Sequence, residues 1–236
     1  MADVHIEELA PGIHRIETVA GDGKLHGYHV MDGPGGPILV DSGYAGAPDE
    51  IYAPFLATRD ERLEDVQAAI ITHADADHFG ANHELRAANP TITLLAHNAD
   101  ASWIESTDRI MDERYRGFSD HGIVYEDSVY DWLSTMMGRD ERLDVQVQGG
   151  EVFCVNDRPV HLLHTPGHTP GHCVLWDPSH RVVIGGDAIF GQALSDVDGQ
   201  PLQPPPYHLY RRGRARTPTL EVGGEARRKT THAHYG

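Results

Sequence analysis

The sequence predicts an α/β fold in one domain spanning residues 1–236. Short, largely apolar runs such as 68–71 and 160–163 are bounded by polar or turn-forming residues, which is typical of buried strands. Segments with helical character, such as 48–58 and 81–87, lie between the predicted strands. A chain of 236 residues can bury a sizeable core, and this one contains no linker long enough to divide it.

The N-terminal part of the chain predicts antiparallel strands. Residues 6–20 alternate between apolar and polar side chains around a Pro-Gly pair, which is the pattern of half-buried strands joined by a turn. Residues 27–31 and 37–40 predict a second strand pair, because the sequence between them, 32–36, is rich in glycine and proline.

Directly after the apolar run at 68–71, four side chains able to bind a metal occur within six residues: His73, Asp75, Asp77 and His78. Such a cluster would lie at the carboxyl end of a strand, where open α/β sheets place their chemistry. In an extended loop the first three side chains point to one side, and His78 must turn in from the next position. Imidazole and carboxylate ligands together suit zinc, iron or manganese better than calcium or magnesium. A solvated acidic loop with two incidental histidines is the alternative.

Three further segments rich in histidine or aspartate follow in order: His164–His172, Ile184–Phe190 and Thr231–Tyr235. Together the four segments resemble the metallo-β-lactamase superfamily, whose first motif is usually written H-x-H-x-D-H. The resemblance covers nearly the whole chain, from Asp41 onwards. It implies a four-layer αββα sandwich, in which two sheets pack face to face with helices outside.

The resemblance also implies a site for two divalent metal ions, with zinc preferred and iron or manganese as alternatives. One ion would be held by His73, Asp75 and His168, the other by Asp77, His78 and His234, with Asp187 bridging the two. Asp77 would also orient the nucleophile and receive its proton, which makes it the expected catalytic residue. His232 is an alternative to His234. Asp41 is either a supporting residue of this site or a turn aspartate that bonds its own backbone.

Asp75 departs from the superfamily pattern, in which the corresponding residue is usually histidine. A carboxylate adds negative charge beside the first metal, which should make a bound water less acidic. It also makes the ligand set harder and favours iron or manganese relative to zinc. The flavodiiron branch of the superfamily similarly carries a carboxylate at this place and binds iron, so the identity of the metal stays open.

The resemblance implies an enzyme that hydrolyses a small carboxylic ester, lactone or thioester with a hydroxide shared by two metals. An iron-dependent oxidoreductase similar to persulfide dioxygenases is the alternative, and a metal-binding protein with little activity is a third. The chain has 19 Lys and Arg against 36 Asp and Glu, a formal net charge of −17, which argues against a nucleic-acid partner. A small-molecule substrate is therefore expected. The sequence identifies neither that substrate nor the oligomeric state, although a homodimer is compatible with it.

The sequence predicts a cytoplasmic protein without membrane contact. Its two cysteines, Cys154 and Cys173, are not paired in a C-x-x-C motif and imply no disulfide framework. The first residues lack a basic region followed by an apolar stretch, and no window approaches transmembrane length.

Two segments are expected to lie apart from the sheets. Residues 98–147 carry no motif and predict a helical insertion that shapes the substrate pocket, and His97 before it is expected to be structural. Residues 211–229 are basic and interrupted by glycine and proline, which predicts an atypical, loosely ordered segment. Because His234 follows that segment near the terminus, the second metal is expected to bind more weakly than the first.

Overall fold

The larger of two sheets is built mainly from the N-terminal half of the chain. The computed structural model describes residues 4–19, 25–122, 124–188, 230–231 and 234–235. In the order of the sheet, the strands are β1 (His5–Ala10), β2 (Ile13–Val19), β3 (Leu25–Gly33), β4 (Gly36–Val40), β5 (Ala68–Ile71), β6 (Thr93–His97) and β7 (Val145–Val147), with the eighth, β13 (His234–Tyr235), paired to β3.

Strands β1 to β4 are antiparallel, as the alternating pattern predicted. The turn between β3 and β4 contains only Pro34 and Gly35, because residues 33 and 36 already pair across the hairpin. It is therefore tighter than the five-residue turn expected from the sequence. Strands β4 to β7 are parallel to one another.

This parallel half brings three loops to one edge of the sheet. Because parallel strands end at the same edge, the residues that follow β4, β5 and β6 lie side by side there. Asp41 follows β4, His73 lies two residues past β5, and Asp100 lies in the helix that begins after β6. This edge carries the candidate site.

The second sheet contains five strands in the order β12 (Thr230–Thr231), β11 (Val182–Ile184), β10 (Cys173–Asp177), β9 (Arg158–His164) and β8 (Val152–Val155). Strands β9, β10 and β11 occur where the sequence predicted them. Strands β7 and β8 were not predicted, because each has only three or four residues and is half exposed, so neither shows a clear apolar run. A backbone hydrogen bond of 2.9 Å from Cys173 N–H to the carbonyl of Thr72 joins the two sheets beside the site.

The helices are short. They are α1 (Ala53–Ala57), which continues a π-helical turn at Pro48–Tyr52, α2 (Ala76–Phe79), α3 (Asn82–Ala88), α4 (Asn98–Ile104), α5 (Thr107–Ile110), which runs into a π-helical turn at Met111–Tyr115, and α6 (Asp127–Met137). Single 3-10 turns occur at Leu63–Asp65, Ser119–His121 and Gly186–Ala188. None of the described helices has the length and apolar character needed to cross a bilayer.

Alternate residues of β5 serve two different cores. Ile70 belongs to the cluster between the sheets, which contains side chains of both, among them Leu95 of β6 and Leu162 of β9. Ala69 and Ile71 point to the other face and pack under the helices. The larger sheet is therefore covered by helices on one face and by the second sheet on the other.

The structure describes most of the predicted helical insertion but not the predicted atypical segment. Residues 98–137 are largely helical where they are described, but 145–147 form β7, so the predicted insertion 98–147 ends as part of the sheet. The segment 211–229 lies outside the described residues, as does the rest of 189–229.

Candidate metal centre

The loop after β5 changes from extended to helical at Asp75. Asp75 has extended backbone angles (φ −127°, ψ 149°) and precedes α2, a single turn that carries Asp77 and His78. The prediction of an extended loop through residue 78 was therefore wrong from residue 76 onwards. The helical turn brings Asp77 and His78 to the site from a different direction than His73 and Asp75.

Four of the predicted ligands converge in one group, in which Asp75 is half-buried and the other three are buried. One donor atom from each of His73, Asp75, His168 and Asp187 can be chosen so that all lie within 4.8 Å of one another. His168 belongs to the loop that follows β9, and Asp187 to the 3-10 turn that follows β11. Two loops of the second sheet therefore lie against the loop after β5 of the larger sheet, which carries His73 and Asp75.

Hydrogen bonds fix the tautomer of His73. Thr72 Oγ1 donates to Asp41 Oδ2 at 3.0 Å, so it accepts the hydrogen bond of 2.9 Å from His73 Nδ1. His73 Nε2 then carries a lone pair. This atom is buried, has no hydrogen-bond partner among the described residues and lies 3.3 Å from Asp75 Oδ2. Burial holds the pKa of His73 well below its usual value, so the ring is neutral and able to bind a cation.

Asp41 also orients His78. Its Oδ2 accepts a hydrogen bond of 2.8 Å from His78 Nδ1, which leaves His78 Nε2 facing Asp187 Oδ1 at 3.5 Å and Asp77 Oδ2 at 3.8 Å. Burial alone would lower the pKa of His78, but the carboxylates of Asp41, Asp77 and Asp187 outweigh it and raise this pKa to about 10. A cation binding at Nε2 must therefore displace a proton. Of the two roles considered for Asp41, the structure shows that of a supporting residue.

The backbone of His234 also reaches this region. In the pairing of β13 with β3, His234 lies opposite His26. The ring of His26 is buried, and its Nδ1 lies 3.6 Å from Asp77 Oδ2. The side chain of His234, and the whole of His232, lie outside the described residues.

Arg114 and Tyr115 contact the site although no sequence motif pointed to them. Arg114 Nε donates to Asp75 Oδ1 at 2.8 Å, and its Nη2 donates to Asp75 Oδ2 at 2.7 Å. The hydroxyl of Tyr115 donates to Asp75 Oδ1 at 3.1 Å. Burial would raise the pKa of Asp75, but the positive charge of Arg114 and the contact with His168 outweigh it and hold this pKa well below its usual value.

Asp100 is a second residue that the sequence reasoning missed. Its Oδ2 accepts hydrogen bonds from Ala74 N–H at 3.0 Å and from the hydroxyl of Thr169 at 2.5 Å, and its Oδ1 accepts one of 2.6 Å from Gly171 N–H. This buried carboxylate thus ties the loop of His73 to the loop of His168. A Cβ at Gly171 would lie 2.7 Å from the Asp100 carboxyl carbon, so this close approach requires glycine. The position of Asp100 just past a parallel strand was the available signal.

Asp100→Ala is expected to lower the free energy of unfolding by about 3 kcal/mol or more, because each buried donor left without an acceptor costs about 1–3 kcal/mol. Chemical denaturation of the metal-free protein measures this loss. Asp108→Ala is the matched control, since Asp108 is exposed. A loss below about 0.5 kcal/mol, the range of ordinary surface substitutions, would show that Asp100 does not hold the two loops together.

The other histidines of the second motif have supporting contacts. His172 Nε2 accepts a hydrogen bond of 3.1 Å from the backbone N–H of Asp187, and its Nδ1 pairs with Thr165 Oγ1 at 2.9 Å. His172 therefore positions the backbone of Asp187. The ring of His164 stacks on that of His97 at 3.9 Å, and His97 Nδ1 accepts the N–H of Ala99 at the start of α4. His97 has the structural role that was expected.

Comparison with known proteins agrees with this architecture. The family model described as the metallo-beta-lactamase superfamily matches residues 28–220. The acyl-coenzyme A thioesterase MBLAC2 of Homo sapiens is 24% identical over 165 residues, which are 67% of this chain and 56% of that protein. The probable metallo-hydrolase YflN of Bacillus subtilis (strain 168) is 23% identical over 230 residues, 93% of this chain and 79% of that protein. The match thus spans just over half the length of the human relative.

The fold has close structural counterparts. The crystal structure of a metallo-beta-lactamase family protein, TTHA1429 from Thermus thermophilus, has a TM-score of 0.69 with 20% identity. The superposition covers 97% of this chain and 75% of that one. At this identity the likeness concerns the fold alone, and it confirms the αββα sandwich predicted from the sequence. The match of the family model over residues 28–220 establishes that this chain belongs to the metallo-beta-lactamase superfamily.

Proposed function

We propose that the protein is a metal-dependent hydrolase of a small carboxylic ester, lactone or thioester. The observation that carries this proposal is the buried convergence of donor atoms from His73, Asp75, His168 and Asp187 within 4.8 Å. The buried Nε2 of His73 has no hydrogen-bond partner among the described residues and lies 3.3 Å from Asp75 Oδ2, an arrangement that suits a cation bound by both atoms.

The donor set suits transition metals, and zinc is the proposed ion, with iron or manganese as alternatives. The proposed ligands are His73, Asp75 and His168 for the first ion, Asp77, His78 and His234 for the second, and Asp187 for both. Bound there, the ions would supply Lewis acidity and a water molecule of lowered pKa. The donor atoms proposed for the first ion already converge within 4.8 Å, together with Asp187, so we propose that the second ion binds more weakly than the first.

Asp77 is the proposed catalytic residue. Its carboxylate lies between the rings of His26 and His78, and its backbone carbonyl accepts a hydrogen bond of 3.2 Å from the hydroxyl of Tyr28. These contacts fix the position of the side chain in the site. A carboxylate held there can orient the attacking water and take up its proton.

Two observations bear on the substrate. The human relative is named as an acyl-coenzyme A thioesterase, which supports an acyl ester or thioester. The formal net charge of −17 disfavours a polyanion such as coenzyme A, so we propose a short, neutral acyl substrate rather than a nucleic acid or a coenzyme A ester. Arg114 and Tyr115 bring the segment 98–147 to the site, in keeping with its proposed role as a wall of the substrate pocket. We also propose that the protein acts in the cytoplasm.

An iron-dependent oxidoreductase is the second candidate, because Asp75 hardens the ligand set. The preference for iron that the negative charge of Asp75 would cause is reduced, however, because Arg114 forms an ion pair with Asp75. The site therefore gains much less negative charge than Asp75 alone would bring.

One preparation tests the proposed function. Elemental analysis is combined with a panel of short esters, lactones and acyl thioesters, assayed before and after removal of metal with a chelator and after reloading with zinc, iron or manganese. We expect hydrolysis that is lost on chelation and restored by zinc. Oxygen consumption with a persulfide by the iron-loaded form, without hydrolysis of any panel member, would favour the second candidate instead.

A further inference from the structure

The carboxylate of Asp75 has one oxygen satisfied by protein donors and one turned towards the other ligands. Oδ1 accepts hydrogen bonds from Arg114 Nε and from the hydroxyl of Tyr115. Oδ2 accepts one from Arg114 Nη2 and also lies 2.5 Å from His168 Nε2 and 3.3 Å from His73 Nε2. A carboxylate oxygen has two lone pairs. Both lone pairs of Oδ1 accept hydrogen bonds from Arg114 and Tyr115, whereas Oδ2 uses one for Arg114 and directs the other towards His168 and His73.

Arg114 is held firmly enough to control this geometry. Its side chain is 9% exposed, and its Nη1 donates to the backbone carbonyl of His168 at 3.3 Å. Tyr115 has a second contact as well, because its hydroxyl accepts the N–H of Ala76 at 3.0 Å. Arg114 and Tyr115 therefore connect the loops of two proposed ligands, Asp75 and His168, to the π-helical turn at Met111–Tyr115.

The ion pair also changes the charge of the first site. A buried carboxylate in a two-pronged contact with a guanidinium forms a unit of zero net charge. A neutral imidazole, the usual group at this place in the superfamily, also has zero charge. The Asp75–Arg114 unit thus resembles histidine in charge and in offering one donor atom.

We propose that Arg114, supported by Tyr115, is a positioning residue that makes Asp75 a charge-compensated ligand with a single available oxygen, Oδ2. This inference rests on the metal site proposed above. It makes the carboxylate and the arginine an interdependent pair, so that the effect of replacing Arg114 on metal affinity depends on whether residue 75 is aspartate.

A cycle of variants at positions 75 and 114 tests the pair, with zinc affinity measured by competition against a chelator and resolved into its binding steps. Arg114→Gln is expected to weaken the first site about 10–100-fold, the usual effect of losing a residue that orients a ligand. In an Asp75→His background the same change is expected to leave the affinity equal or to raise it. There the arginine has no carboxylate partner, and its charge repels the metal.

Three further variants separate the loss of the contact with Asp75 from a general loss of charge or of folding. Arg116→Gln makes the same change at an exposed arginine two residues away, paired with Asp112, and should not alter the affinity. Tyr115→Phe keeps every charge and should weaken the first site by less than Arg114→Gln does. If Arg114→Gln does not fold, Arg114→Lys decides: it keeps the charge but not the two-pronged contact, and it should still weaken binding.

An equal loss in both backgrounds, or unchanged affinity in Arg114→Gln or Arg114→Lys, would overturn the proposed pair while leaving the metal site intact. A wild-type protein that binds no zinc at all would overturn the metal site and the pair together.

Discussion

Asp187→Ala is expected to remove metal and activity together, with a fall in kcat/KM on the order of 10²-fold or more. The two carboxylate oxygens of Asp187 face different halves of the site: Oδ1 lies 3.5 Å from His78 Nε2, and Oδ2 lies 3.7 Å from His168 Nε2. Removing the carboxylate therefore takes a ligand from both proposed ions, whose Lewis acidity contributes several kcal/mol to catalysis. Elemental analysis and the rate of hydrolysis measure the two effects on the same sample.

The isosteric change Asp187→Asn serves as a comparison, because it keeps the shape of the side chain and the backbone hydrogen bond to His172 but removes the charge. It should lose less metal than the alanine variant. Full activity in an alanine variant that has lost its metal would show that the metals take no part in the reaction.

Asp77→Asn is expected to lower kcat about 10²–10⁴-fold at saturating metal, the usual cost of losing a general base. The amide matches the carboxylate in size but cannot accept the proton. The melting temperature should change little, since the hydrogen bond from Tyr28 goes to the backbone of residue 77 and survives the substitution. Steady-state kinetics in excess zinc separate this loss from weaker metal binding.

Asp108→Asn makes the same chemical change at an exposed position and controls for the loss of one negative charge. An unchanged turnover number in Asp77→Asn would mean that another group accepts the proton, and His26, 3.6 Å from Asp77, would be the next residue to test.

Much of this architecture was predictable because its signals are local. Strand β5 is a short apolar run, and four of the proposed ligands follow it within the next seven residues, so one stretch of sequence indicates both the element and the proposed chemistry. Strands β9, β10 and β11 could be placed for the same reason. Strands β7 and β8 are too short and too exposed to produce such a pattern.

The supporting residues could not be predicted, because they depend on contacts between distant parts of the chain. Arg114 is 39 residues from Asp75, and Asp100 is 69 residues from Thr169. Neither residue belongs to a motif, and the five residues of the π-helical turn that carries Arg114 show no sequence pattern that would predict such a turn. The sequence argument therefore assigned the full negative charge of Asp75 to the metal site, because the contact with Arg114 could not be predicted.

The most direct test of the central claim, that this site binds catalytic metal through the predicted ligands, is anomalous diffraction from crystals of the zinc-loaded protein. The account predicts two zinc peaks flanking the Asp187 carboxylate, one of them about 2.0–2.2 Å from His73 Nε2, Asp75 Oδ2 and a ring nitrogen of His168. Crystals of a fully active protein with no anomalous peak within bonding distance of these atoms would contradict it.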